Sequence, residues 1–168
     1  MKNLLLLGVL GTSLFLTSCK TANTGDSNTV SAKEAQTRRA EALKMKGTWE
    51  ITSVDYDKSF KIKPFDEGAD AQCFVGSQWN LIPNNYTGTY TINGGGDCPT
   101  VTQPISFEVT KFNEFKFKKV MTGEKAKNVT AGYVMELQNL SQSNFTLVQN
   151  VNFEGNTIKV YYNFQKVQ

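Results

Sequence analysis

The sequence predicts an all-β fold, an eight-stranded antiparallel barrel preceded by a short N-terminal helix. From Gly47 onward, apolar and polar residues alternate in short runs rich in β-branched and aromatic side chains. That period of two is the mark of strands with one buried face. The connectors between runs are short and carry Gly, Asn, Pro and Asp, so neighbouring strands pair antiparallel and no helical crossover intervenes. Closing such a sheet into a barrel also removes its exposed edges.

Eight runs fit the pattern: 48–56, 73–81, 86–93, 104–110, 115–120, 131–137, 144–152 and 157–166. In the third, Tyr86, Tyr90 and Ile92 share one face, with Thr87, Thr89 and Thr91 on the other. The last repeats the arrangement, setting Ile158, Val160, Tyr162 and Phe164 against Lys159, Tyr161 and Asn163. Turn chemistry punctuates them at Pro83-Asn84-Asn85, Asn93-Gly94-Gly95-Gly96-Asp97 and Glu154-Gly155-Asn156.

The chain begins differently. Lys2 gives a positive start, and the apolar run 4–16 is too short to span a bilayer as a permanent helix, so it reads as a signal peptide. The run ends in Leu16-Thr17-Ser18-Cys19, which resembles the lipobox of bacterial lipoproteins. The resemblance implies cleavage after residue 18 and acylation of Cys19. Each buried methylene contributes about 0.8 kcal/mol, so two or three long chains hold where one short chain would not. Residues 19–30 are rich in Thr, Asn, Ser and Gly and read as a flexible tether. Residues 31–46 read as a short helix, opened by the capping-box pattern Ser31-Ala32-Lys33-Glu34, with Lys44 and Lys46 in its last turn. Residues 47–168 form the barrel domain. No acid follows Cys19 in Lys20-Thr21-Ala22-Asn23, and the expected location is the bacterial cell envelope, anchored to the outer membrane and facing the periplasm.

With Cys19 blocked by lipid, Cys73 and Cys98 remain as a disulfide pair; the alternative is two buried thiols. Closing that loop of about 25 residues destabilises the unfolded chain by about 3.5 kcal/mol in the chain-entropy model. Such a bond persists in an oxidising compartment, which agrees with export.

Gly47-Thr48-Trp49 at the head of the first strand is similar to the G-x-W start of lipocalins, in which the Trp closes the barrel floor. Taken with Cys73, the aromatic stretch from Trp79 to Tyr90, Cys98 and the later strands, residues 46–167 resemble the small lipocalin-like lipoproteins of the Bacteroidetes. The later lipocalin motifs, T-D-Y and a closing Arg that packs on the Trp, are missing. What the resemblance implies is a barrel that receives a small hydrophobic ligand.

Composition excludes several functions. The chain has no histidine, which removes the side chain most used for acid–base work near neutral pH and the commonest metal ligand. Ser and Thr therefore lack the base of a Ser-His-Asp unit. A net charge of +3 over 168 residues, mixed with acids, is too weak for a nucleic-acid footprint. Gly94-Gly95-Gly96-Asp97 lacks the Gly-Lys-Ser/Thr of a phosphate loop, and Asp66, Glu67 and Asp70 fit no calcium-loop spacing. The expectation is a non-enzymatic protein with no catalytic residue, metal or cofactor.

The candidate ligand-binding residues are the inward aromatics Trp49, Trp79, Tyr90, Phe107, Phe117, Tyr133, Phe145 and Tyr162. In an open barrel they line a pocket for a small hydrophobic molecule; in a filled one they are the core, since eight strands leave a bore scarcely wider than side chains. The membrane, through the lipid, and that ligand are the expected partners, with no protein partner indicated. An envelope accessory or inhibitor acting through its outer surface, with Lys116, Lys118, Lys159 and Tyr161 exposed, is the second reading. Cys19→Ala is expected to release the protein from membranes; fractionation that left the variant in the pellet would contradict the anchor.

Overall fold

Alternation of buried and exposed side chains along each run closes the sheet. The computed structural model describes residues 26–167. Its strands are β1 (Gly47–Asp55), β2 (Gln78–Ile82), β3 (Thr87–Gly95), β4 (Cys98–Val109), β5 (Glu114–Lys119), β6 (Tyr133–Gln138), β7 (Asn144–Phe153) and β8 (Asn156–Lys166). Each pairs antiparallel with the next, and β8 returns to β1, so the eight strands form a closed barrel. In β3, Gly88, Tyr90 and Ile92 point inward; in β8, Ile158, Val160, Tyr162 and Phe164 do. A register shift between Ile51 and Ser53 bends β1 where it meets β8.

Trp49 sits at one end of the bore with none of its surface exposed. Its indole Nε1 donates to the Met45 carbonyl at 2.7 Å, which satisfies the one polar atom that burial would otherwise leave unpaired. The ring meets Phe145 edge-on at 4.7 Å between centroids. Above it lies the Lys166 ammonium, 5.3 Å from the ring centroid. A cation over an aromatic face in this way contributes about 0.5–1 kcal/mol. The contact also explains Gly47, whose φ is +126° and whose place would bring a Cβ within 3.2 Å of Lys166 Cε.

The helix α1 (Asp26–Lys44) starts before the capping-box pattern. Residues 26–30, expected in the tether, are its first turns, because no Gly or Pro after Gly25 interrupts helix propagation. Met45 and Lys46 amides donate to the Ala42 and Leu43 carbonyls and close its last turn. Arg38, Ala42 and Lys44 are half-buried, whereas most other side chains from Ala32 onward are exposed. Of its apolar side chains from Ala32 onward only Ala42 is half-buried, and Met45 just after the helix is fully buried. Among the described residues, no helix is long and apolar enough to cross a membrane. The expected signal peptide, Cys19 and the first part of the expected tether lie outside the described residues.

Three strand expectations need correction: β4 starts at Cys98, six residues before the run 104–110, and in the other two the backbone leaves the extended region. The run 73–81 begins as strand only at Gln78; before it, Ala71–Phe74 is a turn of 3-10 helix. Asp70 caps that turn by accepting the Gln72 amide at 2.9 Å, and Gly76, at φ +79°, breaks the extended path. Tyr86, assigned to the inner face by parity, lies in the turn before β3 with a left-handed backbone and 59% of its surface exposed. Parity holds only while the backbone stays extended.

Cys73 and Cys98 are joined by a disulfide, their Cα atoms 5.4 Å apart. It fastens the 3-10 turn before β2 to the start of β4. Reduction is expected to lower stability by about 3.5 kcal/mol and the melting midpoint by several degrees. Matching melting curves with and without reductant would contradict this.

Candidate ligand site at the closed barrel mouth

Seven of the eight candidate aromatics are buried, and Tyr133 is half-buried. They do face inward, but they pack on one another. Phe145 stacks on Phe164 at 4.3 Å beside Trp49, Trp79 stacks on Tyr90 at 4.7 Å, and Phe107 stacks on Phe115 at 5.1 Å. Phe117 and Tyr133 meet at 4.9 Å nearer the opposite end.

That end is covered by the chain between β1 and β2. Its central residue is Phe65, which the sequence pattern did not single out because it lies in a Pro- and Asp-containing connector. The Phe65 ring enters the bore and touches Phe74 at 5.3 Å, Phe117 at 5.2 Å, Tyr133 at 5.3 Å and Tyr162 at 5.5 Å. Only 3% of its surface is exposed. Phe65 and its neighbour Asp66 both have left-handed backbone, with φ of 58° and 54°. For residues other than glycine this conformation costs about 1–2 kcal/mol each. Burial of a phenyl ring offsets it, since full burial of such a side chain contributes about 1.5–3 kcal/mol.

Polar contacts ring the inserted phenyl group. Lys119 is the last residue of β5, on the inward face that Phe115 and Phe117 define. Its ammonium donates to the Phe65 carbonyl at 3.0 Å and pairs with the Glu67 carboxylate at 2.6 Å. The Glu67 side chain retains 9% of its exposure, and the Tyr90 hydroxyl, from β3, donates to the same carboxylate oxygen. From β6, the Tyr133 hydroxyl donates to Asp66 at 2.6 Å. Asp70, the third acid of the cluster 66–70, accepts instead from Tyr56 and the Gln72 amide. The three carboxylates thus have separate partners and do not converge.

No family model matches the chain, and no curated protein sequence matches it. What stands is the architecture: an eight-stranded antiparallel barrel closed in chain order, after a single helix, consistent with a lipocalin-like fold.

The outer wall has a groove of about 690 Å³ over β4, β5 and β6. Ser106, Glu108, Lys116, Lys118 and Val134 line it together with Tyr86 and Thr130. Lys118 is tied down there, its ammonium donating to the Val129 carbonyl at 2.8 Å.

Burial raises the phenol pKa of Tyr90 above the ordinary 10.0, and the hydrogen bond to Glu67 and the nearby Glu67 charge raise it further. Tyr133 is raised by burial, then by its bond to Asp66 and that residue's charge. Tyr162 is raised mainly by burial. Both rim phenols therefore remain hydrogen-bond donors at any physiological pH. A pKa raised in the folded state contributes stability that is whole below the unfolded value of 10.0 and is lost as pH climbs from there towards the folded value. Spectrophotometric titration is expected to show Tyr90, Tyr133 and Tyr162 ionising only as the protein unfolds in alkali. Reversible ionisation of all six tyrosines in the folded state would contradict this.

Proposed function

We propose that this protein is a non-enzymatic binding module, held to the bacterial outer membrane through lipid on Cys19 and facing the periplasm, that receives a small hydrophobic ligand in its barrel. One observation carries the reading. The mouth opposite Trp49 is closed by a connector whose Phe65 side chain occupies the aromatic bore, instead of by strands that would seal it permanently. A connector can be displaced at far lower cost than a strand, because it forfeits no ladder hydrogen bonds. Once Phe65 leaves, Phe74, Phe117, Tyr133 and Tyr162 line the space with apolar surface and a few polar tips, the composition of small-molecule sites.

Anchoring follows from Leu16-Thr17-Ser18-Cys19, and the tether with α1 would carry the barrel clear of the bilayer. The membrane is then both support and source of apolar molecules. Absence of histidine and the separate pairing of the connector's acids favour binding over catalysis.

A second reading has its own support. The aromatic side chains fill the bore as it stands, and the outer groove bearing Lys116, Lys118, Glu108 and Val134 offers a mixed surface to an envelope protein partner. On that reading the barrel is a rigid support and its interior never opens.

Protein purified in mild detergent from its native membrane is expected to carry co-extracted apolar molecules, and to bind a neutral naphthylamine dye with enhanced fluorescence. Protein free of such molecules that also leaves the dye unbound would favour the outer-surface reading, which membrane crosslinking to a reproducible neighbour would then support.

A further inference from the structure

We propose that Phe65, Asp66 and Glu67 are a built-in occupant of the binding site, and that the ligand they stand in for is an amphipathic carboxylate. Its apolar body would lie where the Phe65 ring lies, and its carboxylate would take the place of Glu67 on Lys119 and Tyr90. The inference rests on the ligand-binding reading above and adds the chemical class of the ligand.

The division of partners carries it. The donors Lys119, Tyr90 and Tyr133 belong to the barrel wall, on three different strands. Their acceptors, the Glu67 and Asp66 carboxylates and the Phe65 carbonyl, all belong to the connector. Were the connector moved aside, the wall would keep an inward ammonium and two phenols at the rim of an aromatic bore, and nothing from the wall would pair them. An inward-facing lysine is a costly way to fill a barrel, since a leucine of similar volume needs no anion and loses no hydration. Its presence on the face of Phe115 and Phe117 is explained if an anion is to be received there.

The connector imitates such an anion closely. A phenyl group fills the apolar subsite, and a carboxylate two residues on reaches the ammonium. Two consecutive left-handed residues, Phe65 and Asp66, are needed to place both groups. Strain of this kind persists where surroundings over-determine a conformation, and it is most often found at ligand clamps and switches. Departure of the segment relieves that strain, which lowers the cost of admitting a competitor. The disulfide at Cys73 holds the following turn against β4, so displacement need involve only the chain before it.

The test uses the full chain carrying Cys19→Ala, which removes attached acyl chains that could compete, with decanoate and decan-1-ol measured by equilibrium dialysis. Decanoate is expected to bind at least about tenfold more tightly than the alcohol, as a charge-assisted pair against a neutral one. Glu67→Gln keeps the shape of the connector but removes the competing charge, and should tighten decanoate about tenfold more than it tightens decanol, which gains only from the looser connector. Lys119→Met should lower decanoate to the level of the alcohol. Phe65→Ala should tighten both. Equal binding of acid and alcohol, unmoved by Glu67→Gln and Lys119→Met, would overturn the carboxylate assignment and leave the apolar-ligand reading standing. Failure of every variant to retain either molecule, with circular dichroism still that of the native barrel, would overturn both. If Phe65→Ala does not fold, the Glu67 and Lys119 variants decide the matter alone.

Discussion

A sheet of eight strands closed on itself encloses a bore little wider than the side chains that point into it, and that shortage of room governs how this molecule is built. Alternate residues of all strands meet in the middle, so the aromatic rings of β1, β2, β3, β5, β7 and β8 must tile each other in stacked and edge-on contacts. Such pairs contribute about 0.5–1.5 kcal/mol beyond the area they bury. The tiling is completed at one end by Trp49, with Met45 and Lys166, and at the other by a side chain that no strand supplies. Phe65 arrives from a connector, and its backbone bends into the left-handed region to reach the site.

Charge at the upper rim follows from the same shortage. Lys119 lies on the inward face at the end of β5 with a quarter of its side chain exposed, and its ammonium is engaged by the Phe65 carbonyl and Glu67. Glu67 in turn is almost buried and depends on Lys119 and Tyr90. Removing either member of such a pair leaves the other short of a partner in a poor solvent for ions. The connector is therefore fastened by its polar contacts as well as by Phe65, and the disulfide limits how far its end can travel. A barrel with this arrangement is closed at rest, with an aromatic interior and a ready set of donors behind the closure.

Much of this was legible in the residues. Period-two alternation located all eight strands, and it set seven of eight candidate aromatics in the core, because a barrel imposes the same in-and-out rule on every strand. The pair Cys73 and Cys98 was visible once Cys19 was assigned to lipid. What escaped lay wherever the backbone stops being extended. Tyr86 was placed inside by parity although its φ of 60° turns it out, and Cys73 and Phe74 were given to a strand although both are buried in a 3-10 turn. Phe65 sits in a connector, where no periodicity reports which side chain turns inward. Lys119 was within reach: continuing the alternation of Phe115 and Phe117 by one step puts it on the inner face. No arginine follows in the sequence to pack on Trp49, yet Lys166 at the end of β8 supplies a positive charge over its ring.

The central claim is that Phe65 and its neighbours are part of the packed interior of the resting protein and can still leave it apart from the barrel. Amide hydrogen exchange across residues 60–70 measures this directly. The account predicts protection well above that of exposed turns such as Glu154-Gly155, yet lost at a smaller opening free energy than in β7 and β8. Exchange at the rate of an exposed turn would mean that the connector does not close the mouth, and exchange only with global unfolding would mean that it never opens.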